Sequence, residues 1–252
     1  MTDNAWERFA KQAPYWAVLT DPRYKTEGGT LSAELQEQFF RGGEEHIQRV
    51  TVNLERHFGR RFSQTDSCLD FGCGVGRLLL PMAKRCGRAI GIDVSETMRH
   101  LCMRHALDLR IPNVSCYASV DHPAIVNTSF DWVNSYIVFQ HIDTRSGMNM
   151  LDQMLTRVNP GGVVSLHFTV FKDITLANFI TDKLKYFRVD KDGIKFVENS
   201  HPYYEPNTMM MNDYDINRIY MSLTEHGFTR IFSEHENQNG MHSLLFYSIK
   251  NT

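Results

Sequence analysis

The chain has 252 residues, 42% of them hydrophobic and 22% charged, with a formal net charge of −2. Those proportions fit a globular chain built on one sizeable domain, and the near-zero charge argues against an electrostatic grip on nucleic acid. No stretch approaches the roughly 20 apolar residues of a membrane helix, and "MTDNAWERFAK" lacks the basic start and apolar run of a signal peptide, so a cytoplasmic protein is expected.

Residues 1–30 are aromatic and polar, with Pro14, Pro22 and Gly28–Gly29 limiting any helix. Residues 31–58 repeat apolar side chains at helical spacing, with Gly42–Gly43 expected to mark a joint between two helices. Residues 1–60 thus read as an N-terminal helical cap.

From Asp66 strands and helices alternate. "SCLDF", "RAIGID", "NVSCYAS", "FDWVNSYIVF" and "VVSLHFTV" read as strands. "RLLLPMAKRC", "SETMRHLCMRHALDL" and "TRSGMNMLDQMLTRV" read as helices, Ser95 capping the second, and "NPGG" as a turn. The alternation predicts an α/β fold with a mostly parallel sheet over residues 61–252. It lapses over 171–207, an insertion after strand five in which a helix is expected from about Thr175 to Phe187. A helix closed by Gly227 follows, then "TRIFSEHE" and "SLLFYSIK" paired across the turn "NQNG".

The stretch "LDFGCGVGR" runs from a strand through Gly72, Gly74 and Gly76 into a helix. Such a turn sits at the carboxyl edge of a parallel sheet, where nucleotides bind, and glycine lets the ligand approach the backbone. A dinucleotide fingerprint needs a glycine where this chain has Arg77, and the Gly-Lys-Ser/Thr ending of a phosphate loop is absent. Asp93 ends the second strand 21 positions after Gly72, where a carboxylate accepts both hydroxyls of a ribose. The same residue would also suit a helix N-terminus beside Ser95.

"LDFGCGVGRLLLPMA", "AIGIDVSETM", "FDWVNSYIVFQHID" and "VNPGGVVSLHF", in that order, resemble the motifs of class I S-adenosylmethionine-dependent methyltransferases. The resemblance implies a Rossmann-like, seven-stranded sheet with helices on both faces and an antiparallel last strand. It implies S-adenosylmethionine as cofactor, its methionine part on Asp70, Gly72, Cys73, Gly74 and Arg77, and its ribose on Asp93. Val94 and Met98 would flank the adenine, and Ser119 and Val120 would meet its edge. Ser135, Tyr136 and Gln140 would face the methyl group, with Tyr15 folding over from the N-terminal segment. Arg77 departs from the Thr or Gly common after the glycines.

The acceptor expected is a small molecule or a saccharide, not nucleic acid or a membrane. O-methylation needs a base, because a neutral hydroxyl is a poor nucleophile. His141, just past the fourth strand, is the first candidate, and it equally suits a brace for the loop. His167 on the fifth strand is the second. His201, Tyr203 and Tyr204 in the insertion are expected either to line a substrate pocket or to pack the lid. The alternatives are N- or C-methylation by positioning alone, an NAD-dependent oxidoreductase, or a non-catalytic nucleotide-binding protein. Cys68, Cys73, Cys86, Cys102 and Cys116 form no CxxC pair, and the expectation is five reduced thiols and no metal.

Overall fold

A computed structural model describes residues 3–26, 29–173, 184–190, 193–198, 209 and 211–252. The chain divides into two compact units, Thr2–Asn134 and Ser135–Thr252.

The first unit opens with α1 (Asp3–Gln12), α2 (Pro14–Val18), a 3-10 turn at Pro22–Tyr24 and the long α3 (Ala33–Phe58). Then come β1 (Ser67–Phe71), α4 (Leu79–Ala83), β2 (Arg88–Ile92), α5 (Glu96–Asp108), β3 (Val114–Tyr117) and β4 (Phe130–Ser135). β1 pairs in parallel with β2 and with β4, and β2 with β3. β1 and β2 are buried apart from their first residues, which is why they read as apolar runs without alternation. Phe62 stacks on the fully buried Trp132 of β4 at 4.5 Å between ring centroids.

The helix joint expected at Gly42–Gly43 does not exist: α3 runs unbroken for 26 residues. Ser32 caps its start by accepting from the Leu35 amide, and Gly59, at φ +70°, closes it. The glycines serve packing. A Cβ on Gly43 would lie 2.2 Å from the Arg77 carbonyl oxygen, so α3 can approach the glycine loop only without a side chain there. The helix expected over "RLLLPMAKRC" is shorter than its apolar pattern. The Asn113 amide donates to the carbonyls of Ala83 and Cys86, which satisfies the helix end after one turn.

The second unit holds a 3-10 turn at Phe139–His141, α6 (Thr144–Thr156), β5 (Val158–Lys172), β6 (Leu184–Asp190), β7 (Gly193–Glu198), α7 (Ile216–Glu225), β8 (Arg230–Gln238) and β9 (Met241–Ile249). β9 is antiparallel to both β5 and β8. "NPGG" is not a turn but the start of β5. Gly161, at φ +73°, donates to the Lys250 carbonyl, and Lys250 donates back to Gly162, so the end of the chain draws this segment into the sheet. The turn in "NQNG" is the two residues Asn239 and Gly240, at φ +54° and +87°, as a tight hairpin requires. Of the helix expected over 175–187, residues 175–183 lie outside the described residues, while 184–187 begin β6, which pairs with β7 as a separate two-stranded sheet. The β-branched and aromatic residues around "KDG" in this stretch suit a hairpin, and the apolar spacing alone did not distinguish the two. His201, Tyr203 and Tyr204 also lie outside the described residues.

The strand order β3-β2-β1-β4-β5-β9-β8 makes a seven-stranded, mostly parallel sheet, as expected. Among the described residues no helix is long and apolar enough to cross a membrane.

The glycine pair separates two effects. A Cβ on Gly42 would meet only the tip of the Arg77 side chain, at 3.3 Å. Gly42→Ala is therefore expected to leave stability unchanged or raise it by up to about 1 kcal/mol. Gly43→Ala should cost about 1–3 kcal/mol by overpacking against backbone. Urea unfolding of the two variants checks this, and equal midpoints would refute it.

Candidate functional site

β1 delivers the chain into the loop Gly72–Gly76, where Gly72, Gly74 and Gly76 all take positive φ (+75°, +52° and +91°). The amides of Gly72 and Cys73 donate to the carbonyl of Ile92 at the end of β2. Asp93, the next residue, closes the knot. Its two carboxylate oxygens accept from the Gly74 and Ser95 amides, each at 2.9 Å. Each oxygen keeps a second lone pair, so the group can still accept two hydroxyl donors. Ser95 in turn caps α5 by accepting from the Met98 amide.

The electrostatics are set by burial. Asp70, the penultimate residue of β1, is 2% exposed and accepts from the Asn134 amide at 2.8 Å. Desolvation pushes its carboxyl up to about 7. Asp93 is half-buried and is pushed to about 6 by the same cause, against the pull of the Ser95 and Gly74 amides. Arg99 donates to the Asp93 carbonyl at 2.6 Å. A ligand carrying positive charge and hydroxyls would favour the ionised form of such carboxyls.

The N-terminal segment covers this loop. A Cβ on Gly74 would lie 2.7 Å from a Val18 methyl. Glu7 of α1 accepts from the Ser95 and Thr97 hydroxyls and the Thr97 amide, which fastens α1 to the start of α5 and holds the Glu7 carboxyl at about 2. Tyr15 is buried. Its hydroxyl pairs with His105 Nε2 at 3.0 Å, and His105 Nδ1 pairs with the Val75 carbonyl inside the glycine loop. A carbonyl only accepts, so Nδ1 carries the proton and Tyr15 donates to Nε2. Tyr15 and Tyr24 both pack edge-on to Phe39 of α3.

The remaining expected residues of this unit divide by exposure. Arg77 turns toward α3, its guanidinium 5.8 Å from the Phe39 ring centroid. Met98 and Val120 are buried, whereas Val94 is 45% exposed and Ser119 is exposed. Cys73 is buried beneath the loop.

In the second unit Ser135 is fully buried, and Tyr136, Gln140 and His141 follow on one short loop. Within it Ile137 adopts φ +54°, a costly conformation for a β-branched residue (of order 1–3 kcal/mol), which recurs where function fixes the backbone. Gln140 is held from three sides. Its carbonyl accepts from the Asn212 amide and side chain, and its Oε1 accepts from the Thr169 hydroxyl at 2.8 Å. Its Nε2 meets His141 Nε2 at 3.2 Å. His167 packs against Tyr136 and Glu236. It is 1% exposed, its ring 4.7 Å from that of Tyr136 and its Nε2 3.7 Å from Glu236, which also accepts from the Tyr136 hydroxyl.

Sequence reasoning missed Glu7, Val18, His105 and Asn134 around the glycine loop and α5 in the first unit, and Thr169 and Glu236 against Gln140 and Tyr136 in the second. Each is brought in by a contact spanning tens of residues. Only the helix-capping pattern around Ser95 hinted that an acidic group would sit there.

Residues 68–162 match the family model described as a methyltransferase domain. A 74-residue stretch is 38% identical to 23S rRNA (uracil(1939)-C(5))-methyltransferase RlmD of Legionella pneumophila (strain Paris), covering 27% of this chain and 17% of that protein. The chain thus spans about a sixth of the length of the curated relatives it matches. The magnesium protoporphyrin IX methyltransferase of Synechocystis PCC 6803, solved with bound SAH, shares the fold at a TM-score of 0.64 and 16% identity, over 99% of each chain. The N-methyltransferase NodS of Bradyrhizobium japonicum WM9, also solved with SAH, does so at 0.60 and 15%, over 99% of this chain and 98% of that one.

The buried carboxyls fix a pH dependence. Folded Asp70 and Asp93 hold protons that the unfolded chain releases near pH 4, so their contribution to stability is full below about pH 4. It is lost as pH rises through about 6 and 7. In the ligand-free protein, Asp70→Asn should remove much of this loss, raising stability at pH 8 over wild type by on the order of 2 kcal/mol. Chemical denaturation at pH 5 and pH 8 measures it, and an unchanged pH profile would contradict the protonated Asp70.

Proposed function

We propose that this chain, which carries a class I S-adenosylmethionine-dependent methyltransferase domain, methylates a hydroxyl of a small molecule or saccharide, with His141 as the general base. Class membership and cofactor rest on the matched domain and on a fold shared with methyltransferases solved with SAM or SAH. The acceptor and the base are our reading. In it, residues 1–60 form a cap, 61–252 the methyltransferase domain, and the 171–207 insertion belongs to the acceptor side.

The observation that carries the cofactor reading is the Asp93 knot. A carboxylate fixed by two backbone amides, with a lone pair left on each oxygen, suits the two hydroxyls of a ribose. Asp70, Gly72, Cys73 and Gly74 would hold the methionine part. Met98 and Val120 would offer an apolar wall, and Val94 and Ser119 the open edge of the adenine site. Tyr15 and Arg77 would act through the loop, Tyr15 by way of His105 and Arg77 by way of α3. When bound, S-adenosylmethionine supplies a methyl group on an electrophilic sulfonium.

What this chain's residues add is alignment and a proton acceptor. His141 is half-buried and Gln140 holds its Nε2. The Gln140 amide has both a donor and an acceptor end. To act as base at Nδ1, His141 carries its ring proton on Nε2 and donates it to the Gln140 amide turned to present Oε1, with Thr169 Oγ1 accepting from the amide Nε2; the acceptor's proton then goes to Nδ1. Thr169 and Gln140 therefore orient the base in either protonation state. His167, buried between Tyr136 and Glu236, orients that loop in this reading. Ser135 and Tyr136 would face the methyl group.

A second reading, N-methylation, draws on the Glu236 carboxylate beside His167 and Tyr136, which would bind an ammonium-bearing acceptor and take its proton, leaving the neutral amine to attack. The short likeness to an RNA methyltransferase makes RNA a third class to include in any screen.

Labelled methyl transfer to panels of hydroxyl compounds, amines and RNA tests the acceptor, and label found only on amines or RNA would refute the hydroxyl reading. Calorimetry should show binding of S-adenosylmethionine and none of NAD. Asp93→Ala should weaken the former by about 1–3 kcal/mol, roughly ten- to a hundredfold. His141→Ala should lower turnover about a hundredfold with cofactor affinity unchanged and should abolish the rate limb near the histidine pKa. Weakened cofactor affinity with near-normal turnover at saturation would make His141 a brace instead.

A further inference from the structure

Three of the five cysteines meet beneath the glycine loop. Cys73 comes from the loop after β1, Cys102 from α5 and Cys116 from β3, and their sulfurs all lie within 4.8 Å of one another. Cys73 and Cys102 are buried, and Cys116 is partly exposed. The fold keeps room for them. A Cβ on Gly91 of β2 would lie 2.6 Å from the Cys73 sulfur and 3.1 Å from that of Cys116, and one on Gly76 would lie 2.8 Å from the Cys102 sulfur. The cluster is therefore bounded by the Gly76 and Gly91 backbones, with Leu79 and Leu80 packed beside it.

We propose that Cys73, Cys102 and Cys116 form a binding site for a soft, thiophilic d10 metal ion, held by three thiolates. Metal–thiolate bonds of about 2.3 Å set three coordinating sulfurs about 4 Å apart, so the cluster needs to contract by less than about 1 Å to ligate. The group contains sulfur alone, without imidazole or carboxylate, which selects Cu(I), Zn(II) or Cd(II) over hard cations such as Mg²⁺ and Ca²⁺. Binding exchanges three S–H bonds for three metal–sulfur bonds and releases three protons, with no change of oxidation state. Cys116 gives the ion its route from solvent. Because Cys73 lies between Gly72 and Gly74, an ion here would also stiffen the loop.

The site stands independently of the acceptor and base assigned above, and its test reads metal rather than methyl transfer. Fully reduced full-length protein is titrated with Cd(II) alone, following thiolate-to-cadmium absorption, proton release and thermal unfolding. The expected result is one ion per chain, about three protons released, a higher unfolding temperature and slower hydrogen exchange at Gly72–Gly76. Cys102→Ser and Cys116→Ser should each weaken binding at least about a hundredfold, while Cys86→Ala, at a cysteine outside the group, should not. Should Cys102→Ser fold poorly, Cys116→Ser at the exposed corner still decides the matter. No binding by the reduced protein, binding undiminished in Cys116→Ser, or binding lost in Cys86→Ala would each overturn the site.

Discussion

One carboxylate organises the first unit. Asp93 ends β2 and accepts from the Gly74 and Ser95 amides, so three elements close around a single side chain: the strand, the glycine loop and the start of α5. The left-handed conformations of Gly72, Gly74 and Gly76 bend the loop back far enough for this contact. The desolvation that raises the Asp93 pKa is tolerated because both oxygens are already paired with fixed backbone donors. A group held this way is pre-oriented, which is what ligand recognition needs from a scaffold.

The surroundings protect that knot. Glu7 reaches the same helix terminus, Val18 covers Gly74, and the Tyr15–His105–Val75 chain ties the aromatic N-terminal segment to the loop carbonyl. Gly43 lets α3 press on the loop backbone at Arg77. Few of these contacts contribute much individually, but they reach the loop and its flanks from different sides. The second unit has a comparable centre in Gln140, held by Asn212 and Thr169 and holding His141. The left-handed Ile137 beside it is a cost that the surrounding hydrogen bonds and packing offset.

The comparisons separate scaffold from chemistry. At 16% and 15% identity, the solved neighbours share the arrangement of strands and helices. The names they carry span a magnesium porphyrin and an N-methyltransferase substrate class, and the curated relatives act on ribosomal RNA. The shared fold therefore leaves acceptor choice to side chains rather than to the arrangement of strands.

What the sequence alone determined was the pattern that depends on near neighbours. Strand–helix alternation, the Ser95 cap, the Gly227 stop, the Asn-Gly turn and the loop-plus-Asp93 spacing were all legible, because strand burial, capping and turn geometry are set within a few residues. The order of the motifs then pointed to the seven-stranded sheet. What only the tertiary structure decided was set by distant partners. Gly42–Gly43 looked like a break but is a packing gap for Arg77, and "NPGG" looked like a turn but is pulled into β5 by Lys250. The pairing of Tyr15 with His105, of Asp70 with Asn134 and of Gln140 with Thr169, and the meeting of three cysteines from a loop, a helix and a strand, leave no trace in local spacing. Side chains tens of residues apart touch only where the sheet and its crossovers bring them together, and that juxtaposition is a property of the folded chain.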